Sequence, residues 1–162
     1  MERTMKADTM LSRRCVLAGL AAGMVAGRQA WAAELPEVEV TKDPNCGCCE
    51  KWVVHLREAG FRVMVTEGPV NPVKARLGVP RDLASCHTAQ VGGYVVEGHV
   101  PAEAIKRLLA ERPSGTGLAV PGMPVGSPGM AIEGMEPDTY EVMLFGPQDR
   151  KSFARYRGNQ AV

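Results

Sequence analysis

Three closely spaced cysteines are the residues of this chain most suited to chemistry. Cys46, Cys48 and Cys49 fall within four positions, and Cys46 and Cys49 have the CxxC spacing of a redox pair. The surrounding pattern places them at the start of a helix, where unpaired N–H groups and a partial positive charge favour the thiolate. Thiolates attack disulfides and bind soft metals. Because Cys48 adds a third thiol within the CxxC, the spacing points to metal binding more than to simple dithiol exchange.

The elements that position these thiols follow from hydrophobic periodicity and turn residues. The pattern predicts strands at 38–41 and 61–65, helices that begin near Cys48, Asn71 and Pro101, and a tight hairpin around Gly92-Gly93. A strand, a helix and a strand joined by short connections form a βαβ unit with parallel strands. The predicted order, β-α-β-α-β-β-α, is an α/β fold of the thioredoxin-like arrangement.

The C-terminal part of the chain is predicted to extend this domain. Residues 113–138 contain Pro-Gly-Met twice and show no sustained period, so we expect an ordered loop there. Residues 140–145 and 152–156 flank a polar Gly-Pro turn and predict a terminal β-hairpin that extends the sheet. The predicted fold is therefore α/β, with a loop-rich C-terminal extension and a terminal hairpin.

Cys86 and His87 are expected to lie next to the three cysteines. In the thioredoxin-like arrangement, the loop before the third strand faces the start of the first helix, and here that loop is residues 85–88. Four thiols and one imidazole would then converge. Soft thiolates select Cu(I), and clustered thiolates can bridge several such ions. Zinc is the alternative, because four cysteines or three with one histidine form a tetrahedral site, but the adjacent Cys48 and Cys49 fit a single tetrahedron less readily.

Other potential ligands are methionines and histidines. Met123 and Met130 each follow Pro-Gly in a loop, where a thioether could point at a soft metal, although methionine is usually a core residue. His87 could bind the same metal, or it could interact with a thiolate ligand without binding the metal itself. We expect His55 to be a solvated residue of the first helix and His99 to have a structural role at the start of the third helix.

Two rival functions use the same cysteines. Cys46 and Cys49 could act as a thiol–disulfide oxidoreductase on protein substrates, in which case Cys48 and Cys86 would be dispensable. An exported domain could also use its cysteines for structural disulfides, but a Cys48–Cys49 bond would be strained and a Cys46–Cys48 bond would close a very short loop. Oxidation of Cu(I) or reduction of Cu(II) at the metal would combine redox activity with copper binding.

The N-terminus predicts export. Arg13-Arg14 precedes an apolar run at 15–26, and Ala30-Trp31-Ala32 offers small residues at the positions that a signal peptidase recognises. The paired arginines resemble a twin-arginine signal, although Val16 occupies a position where that signal prefers Phe. The sequence therefore predicts a twin-arginine-type signal peptide.

Cleavage near Ala32-Ala33 would separate a signal peptide, residues 1–33, from a periplasmic metal-binding domain, residues 34–162. It would discard Cys15, so that four cysteines remain. The apolar run is too short for a transmembrane helix, and we expect no stable membrane insertion after cleavage. The charge is balanced, with 19 Lys and Arg against 18 Asp and Glu, and no basic run occurs, so nucleic acid is not expected as a partner.

Several motifs together resemble the CopG-type family of exported copper-resistance proteins, long described as a domain of unknown function. The motifs are Lys42-Asp43-Pro44-Asn45-Cys46-Gly47-Cys48-Cys49, Cys86-His87-Thr88, Gly98-His99-Val100-Pro101 and the two Pro-Gly-Met turns within 117–130. The resemblance covers nearly all of residues 36–157 and implies a thioredoxin-like domain that binds copper in a cysteine-bridged multinuclear Cu(I) cluster.

The same resemblance implies which residues bind the metal. The ligands would be Cys46, Cys48, Cys49 and Cys86, and other periplasmic copper-handling proteins would be partners. Whether the protein is also a copper oxidoreductase stays open. Ala131 departs from the acidic residue expected after the second Pro-Gly-Met, which would change the polarity of this loop without removing a thiol.

Overall fold

One open, eight-stranded sheet and three α-helices make up the fold, in a computed structural model that describes residues 34–162. The predicted signal peptide, with Cys15, lies outside the described residues. None of the helices within residues 34–162 is long and apolar enough to cross a membrane. In chain order, the elements are β1 (Val38–Lys42), α1 (Gly47–Glu58), β2 (Val63–Glu67), α2 (Val70–Arg76), a 3₁₀ turn (Arg81–Leu83), β3 (His87–Val91), β4 (Tyr94–Glu97), α3 (Ala102–Glu111), β5 (Gly117–Ala119), β6 (Thr139–Phe145), β7 (Arg150–Arg157) and β8 (Gln160–Ala161).

The elements from β1 to α3 follow the predicted order, and the α/β class is confirmed. β1 pairs in parallel with β2 and antiparallel with β3, while β3 and β4 form the hairpin predicted around Gly92-Gly93. Both glycines have positive φ, which a two-residue hairpin turn requires. The start of α2 differs from the prediction: the helix begins at Val70, after an extended Pro69, rather than at Asn71-Pro72.

The C-terminal extension adds four strands to the same sheet, which runs in the order β2-β1-β3-β4-β5-β6-β7-β8. β6 and β7 confirm the predicted terminal hairpin. β5 lies within the segment predicted as a loop, because three residues are too few to show a period. It pairs in parallel with β4, and it approaches so closely that a Cβ on Gly117 would lie 1.8 Å from the Val95 carbonyl oxygen. Glycine is therefore required at that position.

Apolar side chains cover both faces of the sheet. Along a strand, successive side chains point to opposite faces, and neighbours such as Val95 and Val96 belong to two different apolar clusters. The larger cluster includes the inner sides of α1 and α3, and the smaller one contains Leu83 of the 3₁₀ turn, with Leu77 beyond α2 packed against it. α1 is thereby fixed on the sheet, with its N-terminus beside the ends of β1 and β3.

His55 joins α1 to α3 and is half-buried, rather than solvated as the sequence suggests. Its Nε2 atom accepts a hydrogen bond from the Ala102 N–H at 3.0 Å, which satisfies one of the free donors at the start of α3. Only the neutral ring can accept this bond. Burial also favours the neutral ring, because it lowers the pKa of His55 below its usual value near 6.5.

Acid should therefore weaken the fold through His55. Below about pH 6.5 the unfolded chain takes up a proton at this residue before the folded chain does, so stability falls as pH falls towards the folded-state pKa. Glutamine can accept the same bond without titrating. We expect wild type to lose about 1 kcal/mol more than His55→Gln between pH 7.5 and 5.5, the typical net value of one hydrogen bond.

Urea unfolding at a series of pH values measures this difference. The other two histidines are present in both proteins, so their contributions cancel. Parallel pH profiles for wild type and His55→Gln would contradict the assignment.

Candidate metal centre

The first turn of α1 presents three sulfur atoms. A tight turn precedes it, in which the Asp43 side chain accepts the Asn45 N–H at 2.8 Å and the Asp43 carbonyl accepts the Cys46 N–H at 3.1 Å. Cys46 is the N-cap residue, and Cys48 and Cys49 lie in the first helical turn. This places all three thiols where the free N–H groups of the helix favour negative charge.

Two of these cysteines form a disulfide. Cys46 and Cys49 are bonded to each other, whereas Cys48 and Cys86 are free thiols. The Cys48 sulfur lies 3.5 Å from that of Cys46. A disulfide and metal coordination by the same two thiolates exclude each other, so these sulfurs become ligands only after two-electron reduction.

Cys86 approaches from the other side of the site, on the segment that leads into β3. The sulfurs of Cys46, Cys48, Cys49 and Cys86 all lie within 4.8 Å of one another. The structure therefore brings together the four cysteines that the sequence predicts to converge. Two metal–sulfur bonds of about 2.3 Å at a tetrahedral angle separate their sulfurs by roughly 3.8 Å, so small adjustments suffice to hold an ion here.

His87 is fully buried beside Cys86. Its Nδ1 atom lies 3.3 Å from the Cys86 sulfur, and its ring packs against the Trp52 ring with centroids 4.3 Å apart. Its Nε2 atom is the only buried side-chain nitrogen or oxygen of residues 34–162 without a hydrogen-bond partner. Such an unpaired group is uncommon in a folded protein, and this nitrogen is free to bind a ligand or a water molecule.

His99 also lies in the cluster, although its place in the sequence predicts only a structural role. Its Nε2 atom lies 3.0 Å from the Cys86 sulfur, and Cys86, His87 and His99 form a second group of ligand atoms within 4.8 Å. Its Nδ1 atom lies 2.8 Å from the Pro128 carbonyl, which can only accept, so Nδ1 carries the proton of the neutral ring. The lone pair of Nε2 therefore faces the sulfur. The register of the predicted hairpin could have placed His99 in the cluster. It pairs Thr88 with Glu97, so residues 87 and 99 lie at the same end of the hairpin, opposite its turn.

Burial shifts the acid–base behaviour of these groups. It lowers the pKa of His87 well below the usual value and also lowers that of His99, so both rings are neutral and can donate a lone pair. Burial, with the neighbouring Cys48, raises the pKa of Cys86 to about 11. A metal ion must therefore displace a proton from Cys86 when it binds.

Backbone atoms of the two Pro-Gly-Met turns contact the segments that carry the cysteines. The Gly122 carbonyl accepts a hydrogen bond from the Ser85 hydroxyl, and a Cβ on Gly129 would lie 2.7 Å from the Cys48 carbonyl oxygen. The side chains differ in exposure: Met130 is half-buried, whereas 54% of Met123 is exposed to solvent. A metal-binding role for either thioether stays a prediction.

Two solved structures are similar to this chain over nearly all of the described domain. Form 1 of a copper resistance protein CopG is 44% identical, with 77% of this chain and 100% of that chain covered and a TM-score of 0.71. Form 2 is 45% identical, with 76% and 99% covered and a TM-score of 0.71. This chain belongs to the CopG family. A family model described as a protein of unknown function, DUF411, matches residues 83–130. No curated protein matches the chain.

The DUF411 match contains one half of the site of this CopG-family chain. Residues 83–130 include Cys86, His87, His99 and both Pro-Gly-Met turns, whereas the three cysteines of α1 precede the match. The donor set of four sulfurs and two neutral imidazoles suits a soft or borderline metal ion, and it contains no oxygen donor of the kind that hard cations need.

Proposed function

We propose that this CopG-family domain binds copper as Cu(I) in copper resistance, through the thiolates of Cys46, Cys48, Cys49 and Cys86. The observation that carries the proposal is the convergence of four sulfurs from two separate segments within 4.8 Å of one another. Thiolate clusters select Cu(I), and bridging sulfurs would allow a multinuclear cluster. The similar copper resistance proteins CopG support copper over zinc.

The histidines and methionines have distinct proposed roles at this site. His87 and His99 would complete the coordination of copper next to Cys86, since both rings are neutral and both have a nitrogen within 3.3 Å of the Cys86 sulfur. Met130, whose turn packs on α1, would assist from the loop. Met123 is exposed, and a thioether in solvent suits the first capture of the ion.

Location and processing are proposed from the sequence. A twin-arginine-type signal, residues 1–33, would direct export, and its cleavage would leave residues 34–162 in the periplasm with four cysteines. Copper ions and other periplasmic copper-handling proteins are the proposed partners. Copper resistance would then depend on capture of copper before it reaches the cytoplasm.

A second candidate function is thiol–disulfide oxidoreduction, which the disulfide between Cys46 and Cys49 favours. In that case a thiolate of a reduced partner attacks this disulfide, forms a mixed disulfide and releases the other cysteine as a thiolate. Cys48 and Cys86 take no part. A Cys48→Ser, Cys86→Ser variant with full disulfide-exchange activity would favour this function over copper binding.

An anaerobic titration tests the copper proposal. The mature domain is reduced, loaded with Cu(I) and challenged with a moderate Cu(I) chelator, and the copper retained per chain is determined. We expect at least one Cu(I) to remain bound per chain and zinc to compete poorly. Complete transfer of the copper to the chelator would overturn the proposal.

A further inference from the structure

A buried charged network lies directly behind the cysteine and histidine cluster. Glu97 is fully buried at the end of β4, and its Oε1 atom accepts hydrogen bonds from Lys74 Nζ at 2.5 Å and from the Ser85 N–H at 2.6 Å. The Thr88 hydroxyl donates to its Oε2 atom at 2.6 Å and accepts from Lys74 at 2.9 Å. Only 9% of the Lys74 side chain is exposed. The carboxylate is thus satisfied entirely by protein groups.

The partners of Glu97 belong to the segments that carry the candidate ligands. Ser85 immediately precedes Cys86, Thr88 immediately follows His87, and Glu97 itself stands two residues before His99. The sheet also joins the two segments, through the Gly98 N–H and the His87 carbonyl at 3.1 Å. The Ser85 N–H lies before the first residue of β3, so no ladder partner holds it and the carboxylate does so instead.

Stability alone is a weak reason for such a network. Removing a carboxylate and an ammonium from water carries a large desolvation cost, and well-packed apolar residues of similar volume often stabilise a fold as well or better. The β3–β4 hairpin is already held by its own ladder and turn. A role in fixing the geometry of the neighbouring ligands accounts for the location of the network and for the several hydrogen bonds that the carboxylate accepts there.

We propose that Glu97 is a positioning residue of the metal centre, which holds Cys86 opposite the cysteines of α1 through the Ser85 N–H and fixes the start of the segment that carries His99. Lys74 and Thr88 hold the carboxylate in place. Glu97 does not bind the metal in this arrangement. The inference rests on the proposed copper function, and its test separates the two.

Glu97→Ala and Glu97→Gln test this role as a pair. Alanine removes both carboxylate oxygens of residue 97, so the Ser85 N–H loses its partner and Cys86 is held less firmly. Glutamine keeps the shape and an acceptor oxygen for Ser85. We expect Glu97→Ala to lower Cu(I) affinity about 10- to 100-fold, the usual effect of removing a group that orients a metal ligand. Glu97→Gln should lose clearly less affinity than Glu97→Ala, because it keeps an acceptor for the Ser85 N–H, although it leaves Lys74 without a counter-charge and Thr88 without its acceptor.

A matched control separates positioning from general loss of stability. Val142 is fully buried in β6, three strands from β3, so Val142→Ala should destabilise the fold and leave the Cu(I) affinity unchanged. Affinity is measured by chelator competition on the reduced mature domain. The rate of Cys86 alkylation in the metal-free protein should rise in Glu97→Ala and stay at the wild-type value in Val142→Ala.

Each outcome decides the inference. Glu97→Ala with wild-type affinity, or with a loss no larger than that of Val142→Ala, would overturn it. Equal losses in Glu97→Ala and Glu97→Gln would assign the effect to charge and also overturn it. If Glu97→Ala does not fold, Thr88→Val tests the inference instead, because it removes one hydrogen bond to the carboxylate at nearly constant volume. We expect Thr88→Val to lower the Cu(I) affinity severalfold. An unchanged affinity in this variant would overturn the inference. Failure of wild type to retain copper would instead refute the proposed function.

Discussion

Replacing Cys86 with serine is expected to lower the Cu(I) affinity of the domain by more than about 100-fold, beyond the 10- to 100-fold effect typical of groups that only support a ligand. Cys86 is the one sulfur shared by the four-cysteine group and the group with His87 and His99. Without it, the remaining thiols all come from residues 46–49, and no sulfur opposes them. Chelator competition under anaerobic conditions measures the loss.

The Cys86→Ser variant also separates copper binding from thiol–disulfide exchange. Serine is nearly isosteric, and Cys86 is only half-buried, so the fold should persist, as circular dichroism can verify. If Cys46 and Cys49 exchange disulfides with partner proteins, that activity survives in Cys86→Ser. A variant that binds wild-type amounts of Cu(I) with wild-type affinity would contradict the assignment of Cys86 as a ligand.

Replacing Gly129 with alanine should disturb both the fold and the site. Gly129 has a φ of +86°, and a Cβ there would lie 2.7 Å from the Cys48 carbonyl oxygen and 2.9 Å from the Trp52 nitrogen. Both atoms are helix backbone and cannot move aside. Left-handed strain and overpacking each cost about 1–3 kcal/mol, so we expect a loss of about 2–6 kcal/mol in the free energy of unfolding.

Gly134→Ala is the matched control for this substitution. Gly134 has a similar φ of +78° but no atom within 4 Å of a Cβ, so only the backbone strain applies, about 1 kcal/mol. Urea unfolding of the reduced, metal-free proteins compares the two. Only Gly129→Ala should also weaken copper binding, because the displaced turn takes the Pro128 carbonyl away from His99. Equal losses of stability in the two variants would contradict the close packing of this turn on α1.

Local patterns predict the parts of the site that depend on neighbouring residues. The spacing of Cys46, Cys48 and Cys49 and the helical period after them are enough to place three sulfurs at a helix start. Cys86 needs one further step, the order of the strands, which a βαβ unit followed by a hairpin largely determines. These features follow from the sequence because each rests on short-range geometry or on chain connectivity.

Features that depend on tertiary packing are not visible in the sequence. Lys74 stands in a helical run with Arg76 and gives no sign that it is buried against Glu97. His99 reaches Cys86 only through the exact register of the hairpin. β5 is too short for a period, and its pairing depends on the close approach that Gly117 permits. In each case the deciding contact joins residues far apart in the chain, and residue type alone does not specify it.

X-ray absorption at the copper edge tests the four-thiolate site most directly. The reduced mature domain is loaded with copper anaerobically, and the ligand atoms around copper are identified from the fine structure. We predict Cu(I) with a coordination shell dominated by sulfur and a smaller contribution from imidazole nitrogen, with less sulfur in Cys86→Ser. A shell of oxygen and nitrogen alone, in a protein whose cysteines are reduced, would contradict the account.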